Sequence, residues 1–256
     1  MLAEDEEQLT RQADTFASDL TRTVQGVLGP DVPAFEAVYE RGKRGARRLL
    51  VRSRTPEGEP SPPIPIKIDG KCRLELIVQL QCTWDGHRSF LAIEDSKAHV
   101  RMMRKPEPLF RWEYLRHPES NVPCAHFHVH AHRDEAVYLL LTGKGDNARI
   151  RKRAAQLDAD TPVIPQLSDL HLPLGGPRFR PCLEDVLQFL VEEFGIDCEV
   201  GWKDAIHKGR RAWRRLQTGV VVRDCPDEAV RVLKDLGYAI EPPTEPRAES
   251  NKITLY

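Results

Sequence analysis

Cys72-Arg-Leu-Glu-Leu-Ile-Val-Gln-Leu-Gln-Cys-Thr-Trp84 is the stretch that decides the fold. Cys72, Leu74, Leu76, Val78, Leu80, Cys82 and Trp84 alternate with Arg73, Glu75, Ile77, Gln79, Gln81 and Thr83. A period of two places the first set on one face of a β-strand and the second on the other. One face is apolar and the other mostly polar, the pattern of an antiparallel sheet packed on one side and wet on the other. The strand runs into Asp85-Gly86, a pair that favours hairpin turns.

Reading downstream, further strands are expected near 88–94, 98–104 and 109–116, the last carrying Phe110, Trp112 and Tyr114 on one face. Another is expected at 124–132. Short connections make these an antiparallel meander of about five strands. Upstream, Leu9, Ala13, Phe16, Leu20, Val24 and Val27 recur at helical spacing, so 5–28 reads as an amphipathic helix stopped by Gly29-Pro30. A second short helix is expected from Ala34 to Arg48, followed by a proline-rich linker at 55–65. Beyond the meander, 135–141 fits strand or helix equally, and 147–157 reads as a polar helix. Leu183, Val186, Leu187, Leu190 and Phe194 make an amphipathic helix ended by Gly195. A basic helix at 203–216, a strand at Val220–Val222 and a helix from Pro226 to Gly237 follow.

The fold class is therefore α+β: an antiparallel meander packed with helices, a helical N-terminal segment and an α/β C-terminal extension. The expected organisation is a helical segment at 1–54, the linker at 55–65, a main domain at 66–241 and a disordered polar tail at 242–256.

Composition narrows the classes. The chain has 256 residues, 40% hydrophobic and 30% charged, with a formal net charge of −1. That balance argues against bulk electrostatic attraction to nucleic acid or membrane. Basic runs at 41–54 and 203–215 are local exceptions, each readable as a solvated face. The six cysteines are dispersed with no Cys-x-x-Cys pair, so neither a zinc ribbon nor a disulfide framework is expected. Residues 1–30 carry no basic-then-apolar leader and no run is long enough to span a bilayer, so a cytoplasmic protein is expected.

The chemistry concentrates in Cys124-Ala-His126-Phe-His128-Val-His130-Ala-His132-Arg-Asp134. Four alternating histidines share one strand face, with Phe127 and Val129 on the other. Imidazole is both the common transition-metal ligand and the acid–base group of neutral pH. Same-face neighbours stand roughly 7 Å apart, so two can share an ion, whereas the whole row spans about 20 Å and cannot. We expect His128 and His130 to pair on a divalent transition metal (Zn, Mn, Ni or Fe), with His171 and Glu135 completing the set and Asp134 as a further candidate. His126, His132 and Glu113 are left as acid–base catalysts. A plain hydrogen-bonded histidine face is the structural alternative.

On the preceding strands His99 and Arg101, then Arg111 and Glu113, alternate against apolar residues, a polar face suited to an anionic substrate. Arg111 is one expected anion-binding residue. Arg178 and Arg180, in the loop Leu174-Gly-Gly-Pro-Arg178-Phe-Arg180 before a helix N-terminus, are two more. The loop lacks the Gly-Lys-Ser/Thr ending of a Walker motif, and its arginines could instead pair with Glu184 or Asp185.

His128-x-His130-x-x-x-x-Glu135, followed by Gly143, resembles the first motif of the cupin barrels, in which two histidines and a glutamate bind a metal. Pro165…His171 resembles the second. The likeness covers under a fifth of the chain, Gly143 falls one residue late and the motif's initial glycine is absent. It implies a barrel and a metalloprotein acting on a small molecule.

Three functions follow in order of preference. The first is a histidine-face hydrolase of the phosphodiesterase or nuclease type, metal-dependent or not, acting on a phosphoester or nucleic acid. The second is a non-catalytic protein that binds a protein partner, as in a bacterial defence or toxin–antitoxin operon. The third is the cupin-like metalloprotein.

Overall fold

The computed structural model describes the chain apart from residues 1, 42–45, 55–61, 86–87, 118–123, 130–132, 146–147, 165–180, 242, 246 and 251–256. The chain divides into two compact units, residues 1–209 and 210–256.

The first unit is built on one antiparallel sheet. Its strands are β1 (Phe35–Arg41), β2 (Arg47–Ser53), β3 (Ile64–Ile68), β4 (Lys71–Trp84), β5 (Leu91–Met102), β6 (Pro108–Leu115) and β7 (Ala125–Val129). They lie in the order β1-β2-β4-β5-β6-β7, with β3 also pairing to β4. The alternating stretch quoted above is β4, the longest strand at 14 residues. One of its edges is shared: Leu74 and Leu76 pair with β3, and Gln79 to Cys82 pair with β2. Its other edge pairs with β5 from Leu74 to Trp84.

The apolar face of this sheet is the core side. Val51, Leu74, Leu76, Val100 and Phe110 are wholly buried there, with Val78, Cys82 and Trp112 close behind. Two helices cover it. In α1 (Leu2–Leu28) the face carrying Ala13, Ala17, Leu20, Val24 and Val27 is buried. In α4 (Leu183–Phe194) it is Val186, Leu187, Phe189, Leu190 and Phe194. Phe110 is the hinge of the packing, with ring centroids 6.0 Å from Trp112, 6.1 Å from Phe127 and 5.5 Å from Phe189. Burying such aromatic side chains is the main stabilising term here, about 1.5–3 kcal/mol for a side chain of this kind.

Local chemistry fixes the ends of α4. The Asp185 carboxylate accepts the backbone N–H of Cys182 at 3.0 Å, satisfying a donor the helix cannot. Gly195 ends the helix at φ 60°, and a Cβ there would collide with the Lys144 carbonyl. Helix α3 (Ala148–Leu157) is tied to α4 by Arg153, which donates to both the backbone carbonyl and the carboxylate of Glu193. Helix α2 (Arg133–Thr142) resolves the segment whose sequence fits strand or helix.

Several expectations are corrected. The predicted helix from Ala34 to Arg48 is instead β1 and the start of β2, paired antiparallel from Phe35↔Ser53 to Arg41↔Arg47. Phe35, Ala37 and Tyr39 are two residues apart, and tertiary pairing overrides a short helical spacing. The strands expected at 88–94 and 98–104 are one strand, β5, accommodated by a register shift at Gln81/Cys82 of its partner. The linker's last residues, Ile64 and Pro65, open β3. No strand forms at Val220–Val222, which lies inside α5 (Trp202–Asp224). The helix propensity penalty of valine is at most about 0.7 kcal/mol per residue, too little to break a helix already propagating. The regular elements of the C-terminal extension among the described residues are thus helices, with α6 (Pro226–Asp235) following α5.

The cupin expectation of a barrel also fails. Among the described residues the strand order runs from β1 to β7 as one sheet, and Glu135 stands on a helix after β7. No helix among the described residues is long and apolar enough to cross a membrane.

Candidate metal centre

With one face of the sheet committed to the core, every alternate residue of β5, β6 and β7 is turned the other way. Antiparallel register then decides which of these meet. Glu113 on β6 lies directly opposite His126 on β7, and Arg111 lies opposite His128. On the other flank Lys97 lies opposite Glu113, and His99 opposite Arg111. Directly opposed residues share a face, and their side chains are in contact range. Three strands therefore bring His99, Arg111, Glu113, His126 and His128 into one patch.

Glu113 is its centre. Its Oε1 stands 2.8 Å from His99 Nε2. Its Oε2 stands 3.2 Å from His126 Nε2 and 3.9 Å from His128 Nε2. The His126 and His128 rings are 5.0 Å apart and nearly perpendicular at 88°. One ligand atom from each of Glu113, His126 and His128 lies within 4.8 Å of the other two. Ligands bonded to a tetrahedral ion at about 2.1 Å stand about 3.4 Å from one another, so the two measured edges bracket the required spacing. Three protein ligands leave a coordination position for water or substrate, as catalytic zinc sites do. The side chain of His128 is 44% exposed and those of His126 and Glu113 are 11% and 16% exposed, so the open side is at His128.

The charge state suits a cation. Burial pushes the Glu113 carboxyl up. The His99 hydrogen bond, the charges of Arg111 and His99 and the His126 hydrogen bond more than offset this and hold it below its usual value. Glu113 is thus an anion at neutral pH. Burial drives the pKa of His99 down, and the hydrogen bond and charge of Glu113 recover only part of the shift. A neutral His99 facing a carboxylate must donate its Nε2–H to it, which orients the carboxylate and leaves Oε2 for the two other imidazoles. His126 Nε2 must likewise carry its hydrogen while it donates to Glu113. Metal ligation would displace that hydrogen, so loading is coupled to a proton or tautomer change.

Arg111 completes the patch. Its Nη1 is 3.7 Å from Glu113 Oε1, and its Nε is buried without a hydrogen-bond partner. A guanidinium carries a fixed positive charge, and beside the three donors it is suited to an anionic substrate group.

Of the residues singled out in the sequence, the structure brings together Glu113, His126, His128 and Arg111. Glu135, read as a metal ligand, lies on α2 with its carboxylate 4.0 Å from Lys105 Nζ and outside the Glu113–His126–His128 group. His130, His132, His171, Arg178 and Arg180 lie outside the described residues. Among the described residues His128 groups with His126 and Glu113, while the expected partner His130 lies outside them. Glu113, read as an acid–base catalyst, stands where a ligand would. The orienting role of His99 was not foreseen. Its alternation with Ala98 and Val100 gave the face, but only the β5–β6 register gives the partner. No protein-family model, curated protein or solved structure matches this chain.

Proposed function

We propose that this chain is a divalent-metal-dependent hydrolase of phosphoesters. The observation that carries the reading is the convergence of Glu113, His126 and His128, three donors within 4.8 Å on the side of the sheet opposite its core. A bound transition metal would supply Lewis acidity and a water of lowered pKa. The chain's own residues do the rest. Glu113 and the two imidazoles hold the ion, and His99 fixes the carboxylate that ligates it. Arg111 binds the phosphoryl oxygens and offsets the negative charge that grows on them. His128, the most exposed of the three ligands, borders the approach.

The test is metal content of the purified chain beside the His126→Ala/His128→Ala double variant, together with hydrolysis of bis(p-nitrophenyl) phosphate. The reading expects one equivalent of metal and chelator-sensitive activity in the wild type, both lost in the variant. Equal metal content in the two proteins overturns it.

One observation favours a second reading, acid–base catalysis without metal. Glu113 already bridges two imidazoles, at 2.8 Å to His99 and 3.2 Å to His126. Activity that survives chelation and disappears in Glu113→Gln would select it.

A further inference from the structure

The polar row does not stop at the metal centre. Lys97 lies opposite Glu113, and Gln79 on β4 lies opposite Lys97. Farther along, Asp95 lies opposite Gln81, and Gln81 opposite Leu50 on β2. All share the face of Glu113. A depression of about 210 Å³ opens over these strands, with Leu50 beneath and, around it, the amides Gln79 and Gln81, the cations Arg41, Arg48 and Lys97 and the carboxylates Glu40 and Asp95. Gln79 is two strand spacings from Glu113, about 10 Å.

The lining has an unmet hydrogen-bonding capacity. Among the described residues the side chains of Arg48, Gln79 and Gln81 have no hydrogen-bond partner, and Lys97 has only a loose contact with Asp95 at 3.8 Å. Each amide offers donors and an acceptor, Glu40 and Asp95 accept from hydroxyls, and Arg41, Arg48 and Lys97 attract anions. A bare phosphate would use the cations and leave the amides and Asp95 idle. A hydroxylated, heteroatom-rich unit with an attached phosphate uses all of them. The volume falls below the roughly 300 Å³ at which drug-sized pockets begin, enough for one such unit. None of the lining residues is aromatic, so recognition is by hydrogen bonding rather than by base stacking.

We propose that this depression is a subsite for one nucleoside arm of a phosphate ester, and that the substrate class is therefore nucleoside phosphate esters. The assignment rests on the reading that the Glu113–His126–His128 centre acts on phosphoesters. The cross-strand row supplies the path between them. The scissile phosphate sits at the metal centre beside Arg111, and the arm lies across Lys97 toward Gln79 and Gln81.

Calorimetric titration of the full chain with uridylyl-uridine, thymidylyl-thymidine and dimethyl phosphate, a diester with no nucleoside, tests it. Both dinucleoside monophosphates are expected to bind about tenfold or more tightly than dimethyl phosphate. Arg48→Ala/Gln81→Ala should remove that gain while leaving dimethyl phosphate affinity and metal content unchanged. Arg48→Glu, at an exposed position, should do the same and serves if the double variant misfolds. Equal or undetectable binding of the dinucleosides and dimethyl phosphate overturns the subsite, as does wild-type affinity in both variants. A preference between the ribose and deoxyribose compounds supports it and names the source. Dinucleoside binding without hydrolysis would leave the subsite standing and remove the hydrolase reading. Hydrolysis of bis(p-nitrophenyl) phosphate without any dinucleoside preference would do the reverse.

Discussion

The two faces of the sheet come from the same strands, residue by residue in alternation, yet they are organised by different rules. On the core face identity is interchangeable: Leu74, Leu76, Val100 and Phe110 need only be apolar and the right size to lie against α1 and α4. On the opposite face identity and register both matter. Glu113 meets two imidazoles only because His126 is directly across from it and His99 is one strand away and two positions along. The core face stabilises the fold by area, and the polar face derives its chemistry from pairing. Mutations on the two faces should therefore separate stability from metal binding.

The largest effect on stability is expected from the core face. Phe110→Ala should cost about 3–5 kcal/mol, because a wholly buried ring packed on Trp112, Phe127 and Phe189 leaves a cavity. Denaturant unfolding measures it, and a loss below about 1 kcal/mol would mean that the face repacks freely. From the polar face, Glu113→Ala should abolish metal retention while the far-UV circular dichroism stays that of the wild type. Retained metal would remove Glu113 from the ligand set. Next comes His99→Asn, which should weaken metal affinity by about 10–100-fold without removing any ligand. Unchanged affinity would mean that the 2.8 Å contact with Glu113 does not orient the carboxylate.

Acidification probes the same patch without mutation. His99 is held below its ordinary 6.5, so its neutral form contributes stability that is full above 6.5 and is lost as pH falls toward its lowered value. Glu113 is held below its ordinary 4.5, so its contribution is full above 4.5 and is lost as pH falls below it. Melting temperature should fall in two stages on acidification, and His99→Asn should flatten the upper one. A variant that retains the full upper stage assigns it to another group. The smallest effect is expected at Glu135. Glu135→Ala breaks only the 4.0 Å contact with Lys105, an exposed pair worth about 0–1 kcal/mol, and should leave metal content untouched. Loss of metal there would return Glu135 to the ligand set.

How much of this was legible depends on what each feature needs. The alternation in Cys72–Trp84 and in Ala125–Val129 is local, so strand and face could both be read from neighbouring residues. Helix α4 was equally plain, since its apolar spacing and its Gly195 stop lie within fourteen residues of one another. The partner of Glu113 was not legible. His126 is thirteen residues away in sequence, and a slip of one position in the β6–β7 pairing would have put it on the other face. Ala34–Arg48 was misread because short apolar spacings fit either period, and the pairing of β1 with β2 decides between them. Val220–Val222 was misread because β-branched residues favour strands only where a strand partner exists.

The position of β7 in the strand order carries one more consequence. It is five residues long, it ends the order, and it supplies two of the three candidate ligands while β6 supplies the third. An ion held there would act as a clasp, joining a short terminal strand to its neighbour by bonds that fraying must break. Filling the site should then slow amide hydrogen exchange at 125–129 more than in β4, by an amount that grows with free metal concentration. The site would thus complete the edge of the sheet on which it is built, and an empty protein would be one whose last strand is loosely sewn.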